Sequence, residues 1–556
     1  MKGERNDRKG QDKKGKERTM KKLALLICVV MIASVLLVGC GGTGDDTTGT
    51  TTTGGANQLV IGISSAPTSL DEQQISDYNS DRVASEMYDT LLKFEDNSTD
   101  VKANLATEWR ISEDGKVYTL KLRDDVKFHD GTDFNADAVV YNYERFTSGE
   151  PQFVYAGPIF DMVKSCEATG DYEVVFTLND PFAPFLVHLA MTQFGMVSPT
   201  AAGAVEPGTQ AFTDRIQAFG ENPVGSGPYK FESRTGETEV VLVRNEEYWG
   251  EKANLDKLIY RFITDDNTRM NELESGSIDI AVDPLPDSIA GFSANPDFQV
   301  FKEEGLHTWY LSLNTQMPPF NDAKVRQAFY YAIDRDAIVD NILLGTGVKA
   351  ENFLPPMTPG YNKDVPKYPF DPEKAKALLA EAGVENLVLD FWVPEGGSGM
   401  QQPDAMATAI QGDLADVGVT LNIKKLEWGA YLDQMFGDIP YDKQEMMLGQ
   451  MSWISDNGDP DNFLYFLCHS SQWPPNYNSA YYKNEEFDEL ITKARFSPEW
   501  ADREPLYKDA QTILMTDLPY LPIDHEFITS IAKSNISGFV THPRGFFRTT
   551  GVTLAD

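Results

Sequence analysis

Positive charge is scarce in this sequence. Its 556 residues include 48 Lys and Arg against 85 Asp and Glu, a net charge of −37. The first 39 residues hold 10 basic and 4 acidic side chains, so the rest of the chain carries 38 against 81. Such a surface argues against nucleic acid as a partner, because phosphate binding needs a basic face. It is compatible with attracting cationic solutes, but solubility is the simpler reading and the one preferred. Cysteine is also scarce. Cys28, Cys40, Cys166 and Cys468 are the only four, and no two form a C-x-x-C pair, so zinc-ribbon and thioredoxin chemistry have no support. A Cys166–Cys468 disulfide suits an oxidising compartment, but spacing does not decide it. The six histidines are scattered without H-E-x-x-H. G-x-S-x-G, Walker A and kinase signatures are missing as well. No metal, cofactor or nucleophile is therefore expected.

The one long apolar run is near the N-terminus. Lys21-Lys22 precede Leu23 to Val38, and Gly39-Cys40 follow. Positive charge, a short apolar stretch and small residues make a secretory signal, too short to favour a membrane span. Met20 is a candidate start as well as Met1. An uncleaved anchor helix is the alternative, and it would tether the protein in the same place. Residues 41–58 are rich in Gly and Thr and read as a flexible linker.

The length is too great for one core, so two or more lobes are expected. Leu59 to Ile63 reads as a first strand, and Val83, Met87 and Leu91 have helical spacing over Arg82–Leu92. Tyr118, Leu120 and Leu122 alternate as in a half-buried strand. Nothing in that block looks catalytic, and His129 reads as a hydrogen-bonded loop residue. The glycines of Asn222-Pro-Val-Gly-Ser-Gly-Pro-Tyr229 allow positive φ and close backbone approach. Further on, Asp371-Pro372-Glu373 starts a helix that Gly383 stops. Strands at Leu387–Trp392 and Val419–Ile423 flank a helix carrying Met406, Ile410 and Leu414. That alternation predicts an α/β sheet with helices on its faces.

The stretch with most chemistry is Trp453-Ile-Ser-Asp-Asn-Gly-Asp-Pro-Asp-Asn-Phe463. The apolar Met446-Met447-Leu448 before it suits a buried strand, and turn signals follow at once. In α/β sheets ligands bind outside the carboxyl ends of strands. Asp456 there, beside the Trp453 ring, suits a ligand ammonium. Asp459 and Asp461 read as turn and helix caps.

This stretch resembles the corresponding segment of dipeptide-binding proteins of ABC importers, within the peptide/nickel solute-binding family. The Asn222–Tyr229 loop, the Leu105–Asp137 block, and Leu37-Val38-Gly39-Cys40 at the apolar run's end support the likeness in the right order. The resemblance, covering roughly residues 59–556, implies a two-lobed α/β periplasmic-binding-protein fold with a hinge between the lobes. Residues 59–305 would form lobe I, completed by 525–556, and 306–524 lobe II. It implies a lipobox, with 1–39 as signal peptide and Cys40 as the lipidated residue heading the 40–58 linker. The protein would be a non-enzymatic binder held extracytoplasmically at the membrane by its lipid. It would act as a monomer, passing a peptide or other small solute to ABC permease transmembrane subunits. Ligand-binding residues would be Asp456, Trp453 and Asn457, with Ser76, Asp77 and Tyr78 in the loop facing the cleft. One departure stands out. The relatives clamp the ligand carboxylate with an arginine in the loop after Leu387–Trp392, where this chain has Gly397 and no arginine nearby. That points away from a free dipeptide held at both ends, toward a longer peptide, a cationic or blocked ligand, or an oligosaccharide. The rival readings are an extracytoplasmic hydrolase with paired carboxylates, such as Asp456 and Asp459, and a surface sensor or adhesin.

Overall fold

The computed structural model describes residues 57–395 and 400–555. Residues 1–56, with the apolar run and Cys40, lie outside the described residues, as does Gly397. No helix among the described residues is long and apolar enough to cross a membrane.

Two neighbouring strands organise the rest. Tyr520–Lys533 runs for 14 residues, and its first part pairs antiparallel with His307–Leu313. Its second part pairs antiparallel with Phe298–Glu304 and Ile280–Val282. His307–Leu313 is buried at every position. Both faces are covered, so neither strand shows the alternation of a half-solvated sheet. Pro522 has no N–H to donate. It lies opposite Tyr310, where the register shifts between Trp309 and Tyr310, a place where the ladder tolerates proline. The ladder then breaks. Trp309 pairs with Asp524 and Glu304 with Phe527, so residues 305–308 face only His525 and Glu526. This break is the joint between two lobes.

On one side of it the sheet continues through Leu448–Ile454, Val388–Glu395 and Thr420–Glu427. Helices Ala323–Ala332, Pro372–Glu381, Pro403–Asp416 and Trp500–Asp517 contribute to the core over these strands. On the other side it continues through Ile280–Val282, Gln58–Ile63, Lys257–Phe262, Glu239–Arg244 and Tyr229–Thr235. That lobe carries an antiparallel four-stranded sheet, Ala106–Ile111, Val117–Leu122, Glu173–Leu178 and Val163–Gly170. The small sheet has its own core, rich in rings such as Phe146, Phe160 and Phe176. The mixed sheet with helices is the α/β architecture expected.

Local departures have identifiable causes. The helix expected over Arg82–Leu92 spans only Tyr78–Ala84. Past it, the Glu86 and Met87 carbonyls accept from the N–H groups of Tyr229 and Gly227 at 3.0 and 2.9 Å, so the chain pairs with a loop instead of with itself. Met446 and Met447 do not open the strand, which is Leu448–Ile454. The Met446 N–H is taken by the Gln444 side chain at 2.9 Å. In the Asn222–Tyr229 loop the glycines serve close approach only, for neither Gly225 nor Gly227 has positive φ. A Cβ on Gly225 would lie 2.2 Å from the Met87 carbonyl oxygen. His129 accompanies this contact, its Nε2 lying 3.0 Å from the Gly227 carbonyl. Cys166 and Cys468 are buried in separate cores with free thiols, so they form no disulfide.

Gly225→Ala forces backbone apart and should cost about 3 kcal/mol, at the upper end for overpacking. Gly412, inside Pro403–Asp416, has nothing within 4 Å of its Cβ position. Gly412→Ala should therefore stabilise by about 0.5–1 kcal/mol through helix propensity. Urea midpoints of the two variants, moving in opposite directions from wild type, test this contrast.

Candidate functional site

A cleft of about 700 Å³ lies at the joint. It shares Asp77, Tyr78, Trp428 and Ile454 with a chamber of about 190 Å³. The chamber shares Tyr155, Trp453 and Asp456 with a smaller recess of about 30 Å³. Both lobes line this series of cavities.

The strand Leu448–Ile454 delivers Asp456 to the chamber. Gly458, at φ 76°, makes the turn, and a Cβ there would lie 2.2 Å from Thr99 of the opposite lobe. Asp459 then caps the helix Pro460–Cys468, accepting from the Asp461 N–H at 3.0 Å. The Arg503 Nη2 donates to both Asp459 oxygens, at 2.7 and 2.8 Å. Arg495 pairs with Asp461 at 3.0 Å. These two carboxylates are thus committed to structure.

Asp456 differs. Its Oδ1 accepts from the Tyr155 hydroxyl of the opposite lobe at 3.0 Å, and its Oδ2 from the Asn462 amide at 3.1 Å. Among the described residues no Lys, Arg or His forms an ion pair with it. Burial pushes its carboxyl above the usual carboxylate range, and Asp81 adds to that. The hydrogen bonds from Asn462 and Tyr155 and the charge of Arg544 pull it back in part. It is a half-buried carboxylate, with neutral neighbours in contact, facing a chamber. A ligand cation is the group it lacks.

Five of the six expected residues line the chamber, namely Ser76, Asp77, Tyr78, Trp453 and Asp456. Asn457 lies on the recess instead, and its Oδ1 is used by the Asp459 N–H at 2.9 Å. Asp77 is also partly committed. It caps Tyr78–Ala84 through the Ser80 N–H at 2.9 Å and accepts from the Thr68 hydroxyl at 2.7 Å. Ser76 is exposed at the rim. Trp453 offers its ring beside Asp456, held edge-on to Tyr477.

Two residues were missed. Asn462 ties the site together, its Oδ1 accepting from Trp453 Nε1 at 2.8 Å and from the Asp456 N–H at 3.3 Å. Its place within the Trp453–Phe463 motif was the available signal. Arg544 lines the chamber and is buried, with Nε and Nη1 lacking hydrogen-bond partners among the described residues and Nη2 3.6 Å from Asp81. It comes from a C-terminal segment whose sequence gives no sign of approaching Asp456.

Two lobes joined by crossing strands around a charged cleft define a periplasmic-type solute-binding protein. Residues 100–475 match the family described as Bacterial extracellular solute-binding proteins, family 5 Middle, and the chain belongs to that peptide/nickel family of ABC-importer binding proteins. It is 35% identical over 480 residues to the dipeptide-binding protein of Escherichia coli, covering 83% of this chain and 87% of the relative. It is 33% identical over 517 residues to heme-binding protein A of Haemophilus influenzae, covering 90% and 92%. The solved ABC transporter-associated periplasmic binding protein DppA from Helicobacter pylori, in complex with peptide STSA, superposes with TM-score 0.77 at 32% identity. That match covers 90% of this chain and 98% of the other. The protein is thus an extracytoplasmic transport component and not an enzyme.

Asn462→Ala removes three hydrogen bonds that aim Trp453 and Asp456. Loss of one such positioning bond costs about 1–1.5 kcal/mol, so affinity for the bound solute should fall roughly tenfold. Titration calorimetry reads this, with a thermal melt run alongside to separate it from lost stability.

Proposed function

We propose that this protein captures a peptide by its amino terminus, with the ammonium on Asp456, and delivers it to the transmembrane subunits of an ABC permease. The lobes would be 59–305 with 525–556, and 306–524, a division supported by their separate cores. A lipid on Cys40 would hold the monomer at the membrane, with the 40–58 linker giving it reach. The observation that carries the peptide reading is the Asp456 carboxylate, half-buried beside Trp453 without an ion pair among the described residues. Relatives such as the dipeptide-binding protein of Escherichia coli and the Helicobacter pylori protein solved in complex with peptide STSA support the same ligand class. The cleft of about 700 Å³ has room for side chains and bridging water beyond that anchor, as small-molecule sites do.

The far end of the ligand has no arginine to meet between Pro394 and Gln402. Arg82 in the cleft is paired with Asp283 at 2.6 Å, and Arg269 with Asp266 at 2.5 Å. A dipeptide gripped at both ends is therefore disfavoured against a longer peptide whose carboxylate extends into the cleft. A glycoside hydrolase with Asp456 and Asp459 as its pair is disfavoured as well, since Asp459 is locked to Arg503.

Mass spectrometry of ligand released from the denatured full chain should show peptides of three or more residues; sugars alone would overturn the proposal. With such a peptide, Asp456→Asn should weaken binding by about 2 kcal/mol, roughly 30-fold, the worth of a charge-assisted hydrogen bond. N-acetylation of the peptide should do the same and should add nothing in the variant. The pH dependence has a definite sign. Binding needs the Asp456 carboxylate, whose affinity for a proton is raised, while an α-ammonium keeps its charge in acid. Affinity should thus fall on acidification, starting at a higher pH than for an ordinary carboxylate of 3.8. The Asp456→Asn variant should lack that limb.

A further inference from the structure

The histidines and carboxylates form no metal motif along the sequence, yet the break in the ladder gathers three of them. His307 comes from one crossing strand, Asp524 and Glu526 from the other. Asp524 and Glu526 are two residues apart and so point to the same side of their strand. One ligand atom from each of the three lies within 4.8 Å of the others, and all three side chains are buried.

Asp524 is the second, independent observation. It is 0% exposed, and neither of its oxygens has a hydrogen-bond partner among the described residues. An unpaired buried carboxylate is costly, and buried charges are generally paired or coordinate metals. Glu526 accepts from the Gln401 N–H at its Oε1, at 2.9 Å, and from the Gln401 side chain, and a carboxylate has lone pairs beyond these two. The Glu526 N–H reaches the His307 Nδ1 at 3.3 Å. That contact is long. Ligation through Nε2 would place the ring proton on Nδ1 and exchange this contact for a metal bond.

We propose that His307, Asp524 and Glu526 bind a divalent first-row transition metal of the Zn²⁺ type at the interlobe joint. One imidazole and two carboxylates make a mixed N/O set of the borderline kind such ions take. Ca²⁺ and Mg²⁺ prefer six or more oxygens, and Cu(I) prefers sulfur. Donors around Zn²⁺ stand about 2.0–2.2 Å from the metal, so side-chain movements of roughly an ångström close the set. His307 and Glu526 line the main cleft, leaving the fourth position on the solute side. The donors come from both crossing strands, so the ion would pin the joint where it bends.

The test uses the tag-free full chain and Zn²⁺ alone, first stripped with chelator. Titration calorimetry should give one equivalent bound, and added Zn²⁺ should raise the melting temperature, as any ligand of the folded state does. Asp524→Asn and Glu526→Gln should each weaken Zn²⁺ at least tenfold and abolish the melting shift. Should one variant fail to fold by circular dichroism, the other carries the result. Wild type without Zn²⁺ binding, or folded variants that bind it as tightly as wild type, would overturn the site. Neither outcome touches the peptide reading, which depends on Asp456.

Discussion

Almost everything in this molecule depends on a backbone ladder that is continuous along Tyr520–Lys533 and broken once against its neighbour. Main-chain pairing is strong in sum and intolerant of shear, so each lobe keeps its shape. Four residues facing two, at 305–308 against 525–526, interrupt the pairing of these neighbours with each other at that level. Bending is therefore confined to that level, where a hinge needs few residues to absorb the change. The cleft opens there for the same reason, because the sheet cannot fill the gap.

The electrostatics follow from what is paired and what is left over. Asp71 meets Arg145, Asp459 meets Arg503, and Asp461 meets Arg495, each pair largely buried. Such pairs cost desolvation and return it through good geometry, and removing one partner is expensive. They fix the framework. Asp456 and Asp524, both near the interlobe joint, form no such pair among the described residues. One is given neutral hydrogen bonds beside a chamber, and the carboxylate oxygens of the other have no hydrogen-bond partner among the described residues. With 38 basic groups for 81 acidic ones after residue 39, a leftover carboxylate is easily made. Its location in a cleft is what gives it chemical meaning.

The sequence made the lobes' strands and the Asp456 turn readable because those features are local. Asp-Pro-Glu at 371–373 and Gly383 mark a helix by backbone rules alone, and the Trp453–Phe463 motif carries its turn in its own residues. What failed was non-local. The Arg82–Leu92 spacing is sound helical periodicity, but Gly227 and Tyr229, some 140 residues on, take the Glu86 and Met87 carbonyls. Arg544 and Tyr155 reach Asp456 from far along the chain, and no periodicity encodes that. His307 and Glu526 are 219 residues apart in sequence, so a search for ligand spacings could not join them. Asn457 drew attention by standing next to Asp456, but neighbours on a turn point different ways, and its amide serves Asp459.

The bond from Tyr155 to Asp456 bears on how a ligand could drive closure. It joins the lobes without any ligand, so the ammonium of the proposed peptide would replace a hydrogen bond that already spans the cleft. A ligand shifts a two-state equilibrium only by its differential affinity for the two states. A hydrogen bond to a charged group contributes about 1.5–3 kcal/mol, and replacement returns only the excess of ammonium over hydroxyl. Asp456 is thus better suited to choosing the ligand than to closing the cleft. The closing energy must come from contacts made only when both lobes face the ligand, meaning its backbone and side chains along the main cleft. A ligand too short to reach past the chamber would be recognised at Asp456 and would still leave the lobes weakly held together.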